Sequence, residues 1–183
     1  MIAIMQQPLL ALFEGARSID LCAGEALFLA GQTVERMFLV RSGRVRLQRH
    51  TAHGTMLILQ NAGPGTVLAE ASAYSPTYHC DAVCAGIARV AAVRRCAFLA
   101  ALRDRPAEAE AWAAMLARSV QAARVRAEIR SLPRVAERLD AWLAEGNALP
   151  GKGQRQELAA ELGVTREALY RELSRRRTGR EGP

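Results

Sequence analysis

The 183-residue chain is predicted to be an α+β protein: an N-terminal β-roll or jelly roll, one long helix, and a small all-α helix-turn-helix module. Three observations predict it. The hydrophobic period changes once, near residue 105, from short apolar runs cut by Gly and Pro to helical spacing. An Ala-rich segment then runs without a breaker from Ala107 to Ser131. Near the C-terminus, GQRQELAAELGVTREALYRELSRRR sets a helix, a glycine stop and a capped second helix in succession.

The apolar runs of the first part read as strands: LFLAG at 27–31, MFLVRSGRVRLQ at 37–48, MLILQNAGPG at 56–65, DAVCAG at 81–86 and ARVAAV at 88–93. In MFLVRSGRVRLQ the Ser42-Gly43 pair suits a tight turn. Val45 and Leu47 alternate with Arg44, Arg46 and Gln48, so one face of that strand is buried and the other wet. Many short strands at this spacing favour a jelly roll.

The long helix ends at Leu132-Pro133, since proline removes a helical donor and clashes with the preceding turn. Trp112 and Met115 head a stripe continued by Leu116, Val120, Ala123 and Ala127. Such a seam packs either on its own β-domain or on the same helix of a second copy across a two-fold axis, where small Ala side chains permit close approach. A homodimer is the expectation. A further helix, Arg134 to Ala144, carries Val135, Leu139 and Trp142 on one face, and Gly146 to Gly153 forms a loop.

Helix Arg155 to Leu162 is expected to stop at Gly163 in the left-handed conformation, with Thr165 capping the next helix. Leu158, Ala159, Leu162, Val164 and Leu169 can pack the two at the angle of a helix-turn-helix. Arg166, Glu167, Tyr170 and Arg171 are then left exposed at the start of the second helix, where major-groove readers belong. Arginine can donate two hydrogen bonds to guanine and glutamate can accept from cytosine. Arg175, Arg176 and Arg177 can meet phosphates. From residue 151 onward eight basic residues, Lys152 and Arg180 among them, face five acidic ones. Double-stranded DNA is the expected partner.

Composition narrows the classes. A net charge of +7 and a pI near 10.0 favour a polyanionic partner. No uncharged apolar run reaches the length of a membrane span, and the first residues lack a secretory pattern, so a cytoplasmic protein with no membrane partner is expected. Without an export signal, Cys22, Cys80, Cys84 and Cys96 read as free thiols or ligands rather than disulfides. Catalysis is not expected. There is no glycine-rich phosphate loop, and His50 and His53 are not the His-x-His pair of a cupin-type metal enzyme. His79 and Cys80, as strand neighbours, point apart and cannot exchange a proton.

The order of β-domain, long helix and helix-turn-helix, with the stretch LCAGEALFLAGQTVERMFLVRSGRVRL, resembles the Crp/Fnr family of bacterial transcription regulators. Ala23-Gly24-Glu25 with Gly31, and Leu39 to Gly43, match the family's strand and hairpin signatures. The resemblance implies a sensory cyclic-nucleotide-binding-like roll over residues 1–105, a dimerisation helix over 106–132 and a DNA-binding domain over 133–183. It implies a homodimer reading half-sites roughly 34 to 36 Å apart, and RNA polymerase as a further partner. The base-touching positions fall on Arg166, Glu167 and Arg171, and phosphate contacts on Gln154, Arg155 and Thr165. The family's β-hairpin wing is expected to be missing or reduced to a basic tail, RRRTGREGP.

A second departure concerns the effector. In cyclic-AMP-binding relatives the phosphate cradle resembles Gly-Glu, a loop, then Arg-Ser. Here LAEASAYSPTYHCDAVC (68–84) places Ala69-Glu70 and His79-Cys80 at those positions, and the helix positions that would meet the base fall on Ala123 and Arg124. Imidazole and thiol do not replace a permanent guanidinium fork, which argues against cyclic AMP. The effector face is then expected at Glu70, His79, Cys80 and Asp81, with three readings open. Cys80 and Cys84 are apolar filler, or redox-active thiols, or His79 and Cys80 ligate a soft or borderline metal such as copper or zinc, or haem iron. Alternation on a strand puts Cys80, Ala82 and Cys84 on one face and His79 and Asp81 on the other, so a shared ion requires a bend at the strand's start. The competing function is a ligand- or metal-binding dimer without specific DNA binding.

Overall fold

The computed structural model describes residues 8–54 and 56–178; the expected basic tail beyond Thr178, with Arg180, lies outside the described residues. Eight strands form two four-stranded antiparallel sheets. They are β1 (Arg17–Leu21), β2 (Ala26–Phe28), β3 (Arg36–Ser42), β4 (Val45–His50), β5 (Met56–Ala62), β6 (Val67–Leu68), β7 (Asp81–Cys84) and β8 (Ala88–Arg94). One sheet has the order β1-β8-β3-β6 and the other β2-β7-β4-β5. Five helices follow: α1 (Arg95–Asp104), α2 (Pro106–Ser131), α3 (Val135–Ala144), α4 (Arg155–Leu162) and α5 (Arg166–Thr178). Among the described residues no helix is long and apolar enough to cross a membrane.

The chain forms two compact units, Met1–His50 with Leu59–Arg118 and Thr51–Ile58 with Ser119–Pro183. In the first, alternating side chains of both sheets make one apolar core around Met37, Leu39, Val45, Leu68 and Val90. Val45 pairs with Cys84 and Leu47 with Ala82, so these four share the buried face of β4 and β7. Gly43 carries the β3–β4 turn at φ 79°, and an added Cβ would lie 2.2 Å from the Ile87 carbonyl oxygen. The Gly24-Glu25 turn is bound by backbone hydrogen bonds to Cys84, with Gly24 N–H donating to Cys84 O at 2.9 Å and Cys84 N–H to Glu25 O at 2.9 Å.

Three elements escape the sequence pattern. β1 and β6 are too short to show a period of their own. α1 is missed because β8 passes into it between Arg94 and Arg95 with no glycine, proline or side-chain cap to mark the change. It is held by Phe98 and Leu102, four apart and both buried, and Phe98 meets Trp112 edge-on at 5.0 Å. Arg105 is extended (φ −127°, ψ 95°), the conformation that the following proline imposes, and Pro106 opens α2.

The α2 seam divides along its length. Trp112 is buried and Met115 and Leu116 pack on the core of the first unit, whereas Val120 is 50 % exposed and Ala123 and Ala127 are exposed. The second unit has its own core of Ile129, Leu139, Trp142, Leu158, Leu162, Leu169 and Leu173.

Candidate functional site

The helix-turn-helix is built at its turn. Gly163 adopts φ 66° and ψ 40°, and its N–H donates to Ala160 O. Thr165 Oγ1 accepts from the Ala168 N–H at 3.2 Å, which satisfies one of the orphan donors of α5. Two arginines that sequence reasoning passed over hold this turn from outside. Arg138 Nη1 donates to the carbonyls of Leu162 (3.2 Å) and Gly163 (2.9 Å), and Arg130 Nε donates to Glu161 O at 2.9 Å. They serve the C-terminal carbonyls of α4, where cations are favoured. The i, i+4 relation of Arg134 to Arg138 gives no hint of this use, since the partners lie on another helix.

The face so presented carries Arg166, Glu167 and Arg171, all exposed, with Gln154 exposed and Arg155 half-buried. Tyr170 was expected to be exposed and is instead half-buried, because its ring is a platform for two cations. The Arg166 guanidinium lies 5.3 Å and that of Arg155 5.7 Å from its centroid. Held over a ring, each guanidinium loses less freedom on meeting an anion.

The basic run on α5 divides, and here the expectation is corrected. Arg176 does not face outward. Its Nε donates to Glu172 Oε1 (2.6 Å), Nη1 to Asp140 Oδ1 (2.7 Å) and Nη2 to Ala136 O (3.1 Å), so it fastens α5 to α3. Glu172 is buried at 8 % exposure and also accepts from Arg175 Nε and Nη2 at 2.9–3.1 Å. Burial alone would raise the Glu172 carboxyl; the hydrogen bonds from Arg176 and Arg175 overcome it and hold the pKa below the ordinary value. Arg175 remains 70 % exposed beyond that contact, and Arg177 is exposed.

On the first unit, Glu70 opens a single 3-10 turn, Glu70–Ser72, entered through Ala69 at φ 68° and ψ 17°. Among the described residues Ala69 is the one non-glycine with a left-handed backbone. His79 is joined to this turn. Its Nδ1 lies 2.9 Å from the Ser72 Oγ, which also accepts from the His79 N–H at 3.3 Å. Partial burial, then the nearby Arg49 charge, lower the His79 pKa, which keeps the ring neutral at physiological pH.

The chain does bend at His79–Cys80 before β7 begins, yet the two side chains still part: His79 is exposed and Cys80 is buried at 2 %. Burial, with the charges of Glu70 and Asp81, pushes the Cys80 thiol up to about 11. Asp81 Oδ1 accepts from the Ala30 N–H at 2.9 Å, and its Oδ2 lies 3.7 Å from His50 Nδ1. Cys84 is buried and hydrogen-bonded to backbone carbonyls, including that of Gly86 at 2.6 Å. Among the described residues no three His, Cys, Asp or Glu side chains converge as a metal ion requires. Cys22 and Cys96 are exposed.

Residues 18–105, the strands that frame Ala69 to Cys84, match the cyclic nucleotide-binding domain family. The chain is 32 % identical over 155 residues to the cyclic AMP receptor protein of Thermus thermophilus, an alignment that spans 82 % of this chain and 72 % of that protein. The chain belongs to the Crp/Fnr family. In this Crp/Fnr chain the fold agrees with solved relatives. FixK2 from Bradyrhizobium japonicum superposes with a TM-score of 0.78 at 22 % identity, covering 92 % of this chain and 89 % of that one. The Thermus thermophilus catabolite activator protein gives 0.57 at 28 % identity, over 97 % and 87 %.

Proposed function

We infer that the chain is a homodimeric, DNA-reading transcription regulator, without catalytic activity of its own, whose β-roll responds to a signal other than a cyclic nucleotide. One observation carries the first part: Arg166, Glu167 and Arg171 are exposed on the first two turns of a helix whose entry is fixed by Gly163, Thr165 and Arg138. A rigid cationic helix start with a bidentate donor beside an acceptor suits the major groove. Gln154, Arg155, Thr165 and Arg175 flank it as phosphate contacts, and RNA polymerase is a partner by family. The open stripe of Val120, Ala123 and Ala127 supports a two-fold pairing of α2.

Against a cyclic nucleotide stands the face of Glu70, His79, Cys80 and Asp81. Two of its side chains are acids, the imidazole is neutral and committed to Ser72, and the thiol is buried. A cyclic phosphate needs a fixed cation there. Copper, zinc or haem iron bound through His79 and Cys80 is the competing reading of this face. The raised Cys80 thiol weighs against it, since the ligand is the thiolate.

The test is a gel shift on a two-fold-symmetric site at two salt concentrations. Wild-type protein should bind selectively with a steep salt dependence, and Arg166→Ala should lose about 1–3 kcal/mol of discrimination at one base pair of each half-site. Equal weak binding of every duplex would instead favour a ligand-binding dimer without specific DNA binding.

A further inference from the structure

A cleft of about 420 Å³ in the first unit is lined by Tyr74, Leu99, Leu102, Arg103, Ala109 and Trp112. Leu99, Leu102 and Arg103 come from one face of α1, and Ala109 and Trp112 stand one turn apart on α2. Tyr74 follows the Glu70–Ser72 turn and is 71 % exposed, while Leu102 and Trp112 are buried. The segment carrying Tyr74 is tied to α1 by Arg95 Nε, which donates to Ala73 O at 2.7 Å.

Two donors beside this apolar wall, Arg103 and the Tyr74 hydroxyl, are unused among the described residues. Trp112 Nε1–H, like that of Trp142, is fully buried without a hydrogen-bond partner, so Trp112 contributes apolar surface to the cleft rather than a donor. Arg103 is exposed, and neither it nor the Tyr74 hydroxyl has a hydrogen-bond or ion-pair partner among the described residues. The cleft lies within the size range of small-molecule sites, and its mixture of apolar wall and a few polar groups is the usual one. A guanidinium fork with a nearby O–H donor is complementary to a carboxylate, whose oxygens only accept.

We propose that this cleft binds a small organic acid, its carboxylate on Arg103 and the Tyr74 hydroxyl, and its apolar body against Leu99, Leu102, Ala109 and Trp112. A ligand there touches both sides of the extended Arg105 break between α1 and α2 and so favours one angle between those helices. The site goes beyond the proposed function: it uses none of Glu70, His79, Cys80 or Asp81, and its test contains no DNA, so either reading can fail without the other.

The experiment uses the full chain, ¹⁵N-labelled, whose two tryptophans give two indole N–H signals. Benzoate, phenylacetate and hexanoate are titrated at constant pH and ionic strength, with benzamide and phenylacetamide as uncharged counterparts. The Trp112 indole, assigned with Trp112→Phe, should move saturably with at least one acid at a Kd of about 1 mM or below, while Trp142 stays still. The matching amide should bind at least about tenfold more weakly. Arg103→Gln, an exposed position that leaves the fold intact, should weaken the acid by a similar factor. No saturable shift up to about 10 mM, parallel movement of both indoles, or acid binding unchanged in Arg103→Gln would each overturn the proposal. So would a Trp112 signal that shifts with protein concentration and not with any acid, because a second copy would then cover the cleft.

Discussion

Replacing Arg176 with leucine separates an internal clamp from a phosphate contact. The guanidinium is 30 % exposed and has three partners, Glu172, Asp140 and the Ala136 carbonyl. Asp140 is 64 % exposed, so that pair contributes less than about 1 kcal/mol. The contact with Glu172 is different, because the carboxylate is 8 % exposed and a charged group left short of donors is unfavourable by about 1.5–3 kcal/mol. Arg175 still reaches Glu172 at 2.9 Å and softens the loss. The net expectation is a destabilisation of about 2 kcal/mol, hence a fall in Tm of about 4–8 °C for a chain of this size. α5 is then less firmly held on α3; if about 1.4 kcal/mol is needed to re-dock it, DNA affinity drops about tenfold. The assay measures affinity over a range of salt. Because Arg176 serves Glu172 rather than DNA, the slope of log K against log salt should match that of wild type. Arg177→Ala should behave in the opposite way, with Tm unchanged and the slope reduced by about 1.8 for the homodimer, about 0.9 for each of the two phosphates released. An Arg176→Leu protein of wild-type Tm whose salt slope has fallen by that amount would refute the clamp.

Other measurements bear on the sensory unit. Gly43→Ala should cost about 3 kcal/mol or more and lower Tm by about 6–12 °C, since its Cβ would press on backbone atoms of Ile87 and Ala88 at a left-handed φ. Gly31→Ala, also left-handed but with nothing within 4 Å of the new Cβ, should cost only about 1 kcal/mol; equal Tm losses would show that the Gly43 contact is relaxed. At pH 8 the Cys80 thiol, with its pKa at about 11 against an ordinary 9.0, has about a hundredfold less thiolate, and burial slows it further. Iodoacetamide followed by mass mapping should therefore label Cys22 and Cys96 well before Cys80, and early labelling of Cys80 contradicts its placement. The folded chain holds the His79 proton more weakly than the unfolded chain, whose value is 6.5. This part of the stability is present above pH 6.5 and is lost as pH falls through the lowered folded value; His79→Gln should flatten that limb of the Tm profile, and an unchanged slope would remove His79 as its source.

Much of this fold was legible because its parts obey local rules. The β3–β4 hairpin announces itself through Ser42-Gly43 and the alternation of Val45 and Leu47, and the helix-turn-helix through Gly163 and Thr165. α1 was not legible: a strand running straight into a helix leaves no punctuation, and RCAFLAALR shows its face only once Phe98 is known to meet Trp112. Arg176 was misread for a related reason. On one helix it belongs to a row of three arginines, and only the packing of α3 brings Asp140 and the Ala136 carbonyl to it.

The sensory face shows how shape and chemistry part company. Ala69 takes the left-handed turn that glycine adopts freely, at a cost of about 1 kcal/mol, and Glu70 opens the same turn. His79 turns to Ser72, Cys80 turns into the core, and Asp81 fastens the Ala30 N–H. These three are thus paired or buried, whereas Arg103 and the Tyr74 hydroxyl, which no motif marked, stand without a partner among the described residues. A sequence motif marks where relatives bind, but unsatisfied donors mark where this chain still can; by that criterion the organic-acid cleft is a stronger candidate for its signal than the cradle its family resemblance points to.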